Sequence, residues 1–388
     1  MTTTTVPAPA LLTDPITRWA AAQPDAPCVG YQDQNYTWAQ WAERLQRVSG
    51  ALRLLGIVGG NRVATIDMNN LATVEVTNGA AAIGAAHVIV NFRLFGDQLA
   101  YVLADSAPRV VFVGADVRAA YDAIADRVPS VEKVIVLGGD DDELQDWVAA
   151  GEPEPTGSDV TPDHVCLVMY SSGTTGFPKG VELTHHNMNV HSAVNNEYFR
   201  LAPGEVSLAA MPLLHVGGTS YIALGMHHGA STVMLREVLP GPLLGAIVGG
   251  VTRLFLVPAV VAQVLAAGEQ AIGAFSKLEV FAYGASPMPL PMLQKALASW
   301  PEMDFVQVYG MTETGGVITS LSPLAHRDPE HPERLTSAGE VVAGGQVRVV
   351  DPATGEDCAV GQVGALWFHT PQLMKGYLGK PEACAQAW

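Results

Sequence analysis

The run Ser171-Ser172-Gly173-Thr174-Thr175-Gly176-Phe177-Pro178-Lys179-Gly180 constrains this chain more than any other stretch. It stands between an apolar run, Val165 to Tyr170, and a second short run at Val181. Six successive hydroxyl residues and glycines make a poor core. Glycine lets the backbone turn its N–H groups toward an anion, Ser and Thr add hydroxyl donors, and Lys179 adds a full positive charge. Those are the parts of a polyphosphate cradle. The spacing excludes a P-loop, which needs Gly, four residues and then Gly-Lys-Ser/Thr. Here Pro178 takes the place of the second glycine counted from Gly173, and Gly180 follows Lys179. No Gly-x-Gly-x-x-Gly follows a strand at this point, which argues against a dinucleotide fingerprint. A flexible surface linker is the bland alternative, and it has no use for a fixed Pro-Lys-Gly ending.

A second motif lies well downstream: Val306-Gln307-Val308-Tyr309-Gly310-Met311-Thr312-Glu313-Thr314-Gly315. It offers a ring to stack on a base, a glycine for close approach, a hydroxyl for phosphate and a carboxylate for a hard cation. Glu313 beside Thr312 is the natural magnesium ligand. As an isolated string it also fits a structural turn.

Tyr170 to Asn187, reading Tyr-Ser-Ser-Gly-Thr-Thr-Gly-Phe-Pro-Lys-Gly-Val-Glu-Leu-Thr-His-His-Asn, resembles the signature phosphate loop of the adenylate-forming enzymes, a family of acyl-CoA synthetases, luciferases and peptide-synthetase adenylation domains. The motif around Tyr309 resembles the family's second signature. Thr37-Trp38-Ala39, Arg62-Val63-Ala64, Gly84-Ala85-Ala86 and Asn91-Phe92-Arg93-Leu94 are similar to the scaffold half of acyl-CoA synthetases. The resemblance implies an α/β fold of two stacked αβ sheet subdomains plus a small distorted β-barrel subdomain. It also implies ATP, Mg2+ and coenzyme A as cosubstrates and cofactors. In such enzymes a carboxylic acid and ATP give an acyl-adenylate, and most members then pass the acyl group to a thiol. Carried over to this sequence, Ser171, Ser172, Gly173, Thr174, Thr175, Gly176 and Lys179 hold phosphate. Gly284, Ala285 and Ser286 face the adenine and the acyl group, and Tyr309, Gly310, Met311 and Thr312 complete the nucleotide site. Glu313 binds the metal, and Lys179, Thr312, Glu313 and His215 form the catalytic set.

His215 stands in Met211-Pro212-Leu213-Leu214-His215-Val216-Gly217-Gly218. A single His in an apolar run is usually a satisfied core residue, but the glycines after it suggest a backbone that something must approach closely. By resemblance it lines or gates the acyl site, between the acid pocket and the thiol tunnel. The small residues Gly217, Gly218 and Gly284 would leave room for an acyl chain. Amino-acid-activating relatives place an aspartate in the segment corresponding to Leu213 to Gly218, and none occurs here. The expected function is therefore a carboxylate–CoA ligase for a fatty or other apolar acid. The rival readings are an adenylating enzyme that loads a carrier protein and a non-catalytic nucleotide-binding sensor.

The mechanism follows from charge. The α-phosphate of ATP is shielded by its own oxygens, so an attacking carboxylate is repelled until cationic and N–H groups neutralise them. The acid is already ionised near neutral pH, so no general base is needed.

The chain of 388 residues, 48% hydrophobic and 15% charged, exceeds one ordinary domain and points to two or three packed subdomains. A net charge of −17 argues against a nucleic-acid partner, which is held by surplus Lys and Arg. The partners expected are small molecules; peripheral membrane contact and oligomeric state stay open. Cys28, Cys166, Cys358 and Cys384 lie far apart, which indicates neither a zinc site nor a disulfide framework. The first ten residues lack the pattern of a signal peptide, and the apolar run Leu254 to Ala267 is too short for a bilayer, so a cytoplasmic location is expected.

The expected divisions are a tail (1–13), an αβ subdomain (14–162), a second αβ subdomain with the phosphate loop and nucleotide site (163–336), and a small β subdomain (337–388). Thr37 reads as the cap of a helix whose apolar face runs Trp38, Trp41, Ala42, Leu45, Val48, Ala51, Leu52 and Leu55 before Gly56. Strands are expected at Arg62–Ile66, His87–Val90, Val110–Val113, Lys133–Leu137 and Val280–Tyr283, and an antiparallel unit from Gln346–Val350 and Ala365–Phe368. Asp140 to Glu143 reads as a solvated acidic loop, and Glu152 to Gly157 as a linker-like boundary. Thr184 caps a further helix, on which His185, His186 and His191 have the wrong spacing for a metal and read as exposed or capping residues. Met374-Lys375-Gly376-Tyr377-Leu378 resembles the segment near the end of the family's large domain. The chain stops at Trp388, before the family's ribose-binding aspartate, hinge and mobile C-terminal domain, so the expectation is a truncated enzyme of weak or no activity.

Overall fold

The computed structural model describes residues 10–171 and 177–387. Its strands, in chain order, are β1 (Pro27–Tyr31), β2 (Gln34–Thr37), β3 (Arg62–Ile66), β4 (Ala86–Val90), β5 (Val110–Gly114), β6 (Lys133–Leu137), β7 (Val165–Ser171), β8 (Lys179–Thr184), β9 (Val206–Ala209), β10 (Ser231–Met234), β11 (Arg253–Leu256), β12 (Val280–Gly284), β13 (Asp304–Met311), β14 (Gly316–Leu321), β15 (Glu340–Val341), β16 (Gln346–Val350), β17 (Ala365–His369) and β18 (Gly376–Tyr377). They form a nine-stranded sheet ordered β15-β14-β13-β12-β11-β9-β10-β1-β2, a seven-stranded sheet ordered β18-β8-β7-β4-β3-β5-β6, and a separate antiparallel pair β16-β17. In the first sheet β13, β12, β11, β9, β10 and β1 run parallel, and in the second β7, β4, β3, β5 and β6 do. Helices supply the crossovers, as parallel strands require.

Local chemistry accounts for the elements. Thr37 caps the helix Trp38–Leu54 through a reciprocal box with Gln40, and Gly56 follows it at φ +72°. Trp38, Trp41, Leu45, Val48 and Leu52 are buried on its inner face. The helix Leu71–Ala82 is buried along its whole length, as expected of one enclosed on every side rather than lying on a surface. Its one carboxylate, Glu75, is fully buried and takes Arg44 Nε at 2.6 Å.

Two expectations are corrected. The helix His185–Val194 is capped by Thr184, but His185 and His191 are buried, not exposed. The helix packs against Val216–His228 inside the molecule. There His185 Nδ1 accepts the Leu12 N–H (3.0 Å) and His191 Nε2 accepts the Val317 N–H (3.1 Å). The Glu152–Gly157 segment is no loose linker. Its Glu154 N–H donates to Gln46 O and its Gly157 N–H to Ala82 O, so it is strapped across two helices. All four cysteines are unpaired. Among the described residues no helix is long and apolar enough to cross a membrane.

Candidate active site

The strands that flank the run dominating the sequence are paired: β7 and β8 run antiparallel down to Ser171 opposite Lys179. Ser172, Gly173, Thr174, Thr175 and Gly176 lie outside the described residues. The flanks are gripped from the helix Gly96–Ser106. Tyr101 Oη donates to Pro178 O (3.2 Å), its ring lies 4.8 Å from that of Phe177, and Tyr170 Oη donates to Asp105 Oδ2 (2.7 Å). Lys380 Nζ reaches the other oxygen of Asp105 at 2.6 Å.

Parallel strands bind ligands at their carboxyl ends. In the nine-stranded sheet, β9, β11, β12 and β13 are consecutive parallel neighbours. The segment of His215 follows β9, Gly284-Ala285-Ser286 ends β12, and Met311-Thr312-Glu313 ends β13. The sequence candidates of this half thus collect along one sheet edge. Ser171 lies at the carboxyl end of β7, in the other sheet.

The two edges meet at Glu313. Its Oε1 accepts Ser171 Oγ at 2.9 Å and Tyr377 Oη at 3.0 Å, while Lys179 Nζ sits 4.9 Å from the centre of the Tyr377 ring. Thr312, Glu313 and Thr314 form one 3-10 turn, closed by Gly315 in the left-handed conformation (φ +66°). Thr314 Oγ1 accepts the Met311 N–H and donates to Gly316 O. Burial first, and the neighbouring carboxylate second, push the Tyr377 phenol up to about 12, which keeps it a donor at any physiological pH. A cleft of about 700 Å³ opens beside these groups, with Glu313, Tyr377, Met311, Arg348 and Trp367 in its wall.

The oxygen donors fit magnesium, which takes one or two carboxylates and completes its shell with phosphate and water. Among the described residues no group of three or more His, Cys, Asp and Glu gathers.

Other candidates are placed less directly. Tyr309 is half-buried with its ring 6.3 Å from that of Phe368. His215 is the solvent-reaching N-cap residue of the helix Val216–His228. Shielding of part of its ring first, and the Arg93 charge second, hold its pKa below the ordinary imidazole value. No hydrogen bond among the described residues joins it to the Glu313 group. Ala285 stands at φ +62°, a left-handed conformation that a residue with a Cβ adopts only under strain.

The glycines of these segments are closely approached by neighbouring backbone. A Cβ on Gly218 would meet the carbonyl oxygens of Met211 and Pro212, one on Gly284 the carbonyl of Val308, and one on Gly310 that of Gly316. A side chain at any of these three positions would strike the molecule's own backbone. At Gly217 the neighbour is the Phe255 ring, 3.1 Å from such a Cβ.

Sequence reasoning quoted the Tyr377 segment but gave it no role, and passed over Gln372. Gln372 is fully buried and its Nε2 donates to Thr314 O and Val317 O, each at 2.7 Å, which fixes the Glu313 turn from behind.

Comparison with known proteins shows the family. A family described as AMP-binding enzyme matches residues 16–378. The chain is 32% identical over 379 residues to a feruloyl-CoA synthase of an Amycolatopsis species, covering 95% of this chain and 72% of that protein. It is 29% identical over 377 residues to the fatty acid–[acyl-carrier-protein] ligase ScoC of Streptomyces coeruleorubidus, covering 95% and 70%. The inhibitor-bound N-terminal domain of FACL13 from Mycobacterium tuberculosis superimposes with a TM-score of 0.88 at 25% identity, covering 97% of this chain and 93% of that one.

Proposed function

This chain belongs to the AMP-binding enzyme family, as an adenylate former of the acyl-CoA synthetase type, and on that premise we propose that it carries the ATP- and acid-binding site of a carboxylate–CoA ligase for an apolar acid. The observation that carries the reading is the meeting of Ser171, Lys179 and Glu313 around Tyr377 at the junction of two sheet edges.

The acid enters ionised, so the work left to the protein is orientation and neutralisation of phosphate charge. Lys179 supplies a full positive charge at the base of the hairpin, and Ser171 a hydroxyl beside it. Tyr309 offers a ring for the base, and Thr312 a hydroxyl at the turn. Glu313 would hold magnesium, which when bound withdraws charge from the phosphate oxygens. His215, kept neutral by its surroundings, adds no charge to the wall of the acid site. Attack of the carboxylate oxygen on the α-phosphorus releases pyrophosphate and leaves an acyl-adenylate. The thiol of coenzyme A then takes the acyl group and releases AMP.

The test is the thermal shift of this chain with non-hydrolysable acyl-adenosine mimics of graded acyl size, a readout that asks only for residues the chain contains. A ligand bound only by the folded state raises stability by about 2.7 kcal/mol at a hundredfold excess over its dissociation constant. A shift that peaks at one acyl class and disappears in Tyr309→Ala supports the reading; no shift with any mimic overturns it. A carrier-protein acceptor in place of coenzyme A is the second reading, favoured by the likeness to ScoC. Transfer from the preformed adenylate to a carrier protein but not to coenzyme A would select it.

A further inference from the structure

The segment from Gln372 to Lys380 touches the Glu313 turn, the strand that Lys179 begins and the helix that carries Asp105. Met374 N–H donates to Glu313 O (2.9 Å), while Gln372 fixes the carbonyl that ends that turn, Thr314 O, and Val317 O beyond it. β18 then pairs with β8, Gly376 opposite Glu182 and Tyr377 opposite Val181, and Leu378 N–H donates to Gly180 O (2.7 Å). Lys380 closes the strap on Asp105, which also holds Tyr170 at the start of the hairpin. Tyr377 sits at the centre, its backbone N–H donating to Cys384 Sγ at 3.1 Å and its neighbours fixed in the ladder. Its ring and hydroxyl are aimed by that backbone, not by chance packing.

We propose that Tyr377 is a positioning residue: its hydroxyl orients the Glu313 carboxylate toward the metal of MgATP, and its ring holds the Lys179 ammonium at the base of the phosphate hairpin. Both bonds to the carboxylate end on Oε1, and among the described residues Oε2 has no partner. A carboxylate so fixed presents its second oxygen in one direction. This is how an outer hydrogen bond tunes a metal ligand, and loss of such a partner costs about 10- to 100-fold in metal affinity. The ring contact is a separate device, because a cation is attracted to the face of an aromatic ring with or without a hydroxyl on it. One side chain thus serves two groups by two independent means, and substitutions separate them.

The inference rests on the adenylate-forming reading, and its test keeps the two apart. ATP binding to the chain is measured by calorimetry with and without magnesium, and Mn2+ binding by electron paramagnetic resonance in the presence of ATP, for the unaltered protein, Tyr377→Phe and Tyr377→Leu. Tyr377→Phe is expected to bind Mn2+ about tenfold more weakly, with metal-free ATP affinity unchanged and a melting temperature lowered no further than in Ser171→Ala. Tyr377→Leu is expected to weaken metal-free ATP binding as well, about threefold, through the lost ring. Unaltered Mn2+ binding in Tyr377→Phe overturns the proposal while leaving the adenylate-forming reading intact. A lowered melting temperature with unaltered Mn2+ binding also overturns it, as the mark of a merely structural residue. Failure of the unaltered protein to bind ATP in either condition overturns the reading beneath it. Should Tyr377→Leu fail to fold, the comparison with Tyr377→Phe still decides the metal arm.

Discussion

The Ser171 hydroxyl donates to Glu313 Oε1 across 142 positions of sequence, and this 2.9 Å bond fastens the carboxyl edge of one sheet to that of the other. The bond aligns two halves of the candidate site that no local sequence rule brings together. Ser171→Ala is expected to cost about 1 kcal/mol of stability, the ordinary net worth of one hydrogen bond. Glu313→Gln is expected to leave the fold intact and abolish the dependence of nucleotide binding on magnesium. Denaturant unfolding measures the first, and calorimetric titration across magnesium concentrations the second.

Lys179 carries the site's fixed positive charge from the first position of β8. Its replacement by Met keeps the length of the side chain and removes the charge. Adenylation, followed as acid-dependent exchange of pyrophosphate into ATP, is expected to fall by about 10²- to 10³-fold, the range found when one preorganised stabilising group is lost. The KM for the acid should change little. An exchange rate within threefold of the unaltered protein would remove Lys179 from the catalytic set.

Arg44 and Glu75 form an ion pair whose carboxylate is fully buried and whose guanidinium side chain is 11% exposed. Glu75→Ala leaves a guanidinium facing a cavity in the fully enclosed helix Leu71–Ala82. Breaking such a pair from one side typically costs about 3–5 kcal/mol, which urea unfolding should register.

Four buried histidines oppose folding in acid. Burial holds His87 down to about 3, and His185, His191 and His326 down to about 4, against about 6.5 in an unfolded chain. The unfolded state therefore binds protons that the folded state refuses. Stability is full above about pH 6.5 and is lost as pH falls toward 4, by about 1.4 kcal/mol per unit for each histidine. Unfolding at pH 5 should take up about three to four protons from this source. Calorimetry in buffers of different ionisation enthalpy counts them, and a melting temperature flat from pH 8 to 5 would contradict the assignment.

Much of this was legible in the sequence where a local rule decides the outcome. The Thr37 cap, the helix it starts and the strands Arg62–Ile66 and Lys133–Leu137 fall where pattern and turn chemistry put them. The two signature strings mark the hairpin and the turn that Ser171 and Glu313 join. Other features depend on what packs outside the string. His185 and His191 are buried because their helix is enclosed by other elements, which a spacing argument cannot see. The carbonyls that crowd Gly218, Gly284 and Gly310 are likewise invisible in the string. Tyr377 acquires its contacts only because β18 adds to the edge of β8, about 195 positions earlier in the chain.

The order of strands has a consequence for how the molecule comes apart. β1 and β2, near the start of the chain, belong to the sheet built from residues after 200, while β7, β8 and β18 complete the sheet begun by β3. Tyr31 pairs with Met234, roughly 200 positions away. Each sheet is threaded through the other's stretch of chain, so neither can be cut free as a contiguous piece or finish forming before its distant partners arrive. Long-range closure of this kind slows folding and ties the two cores to one cooperative event. A local weakness in either sheet is then felt as a loss of stability by both.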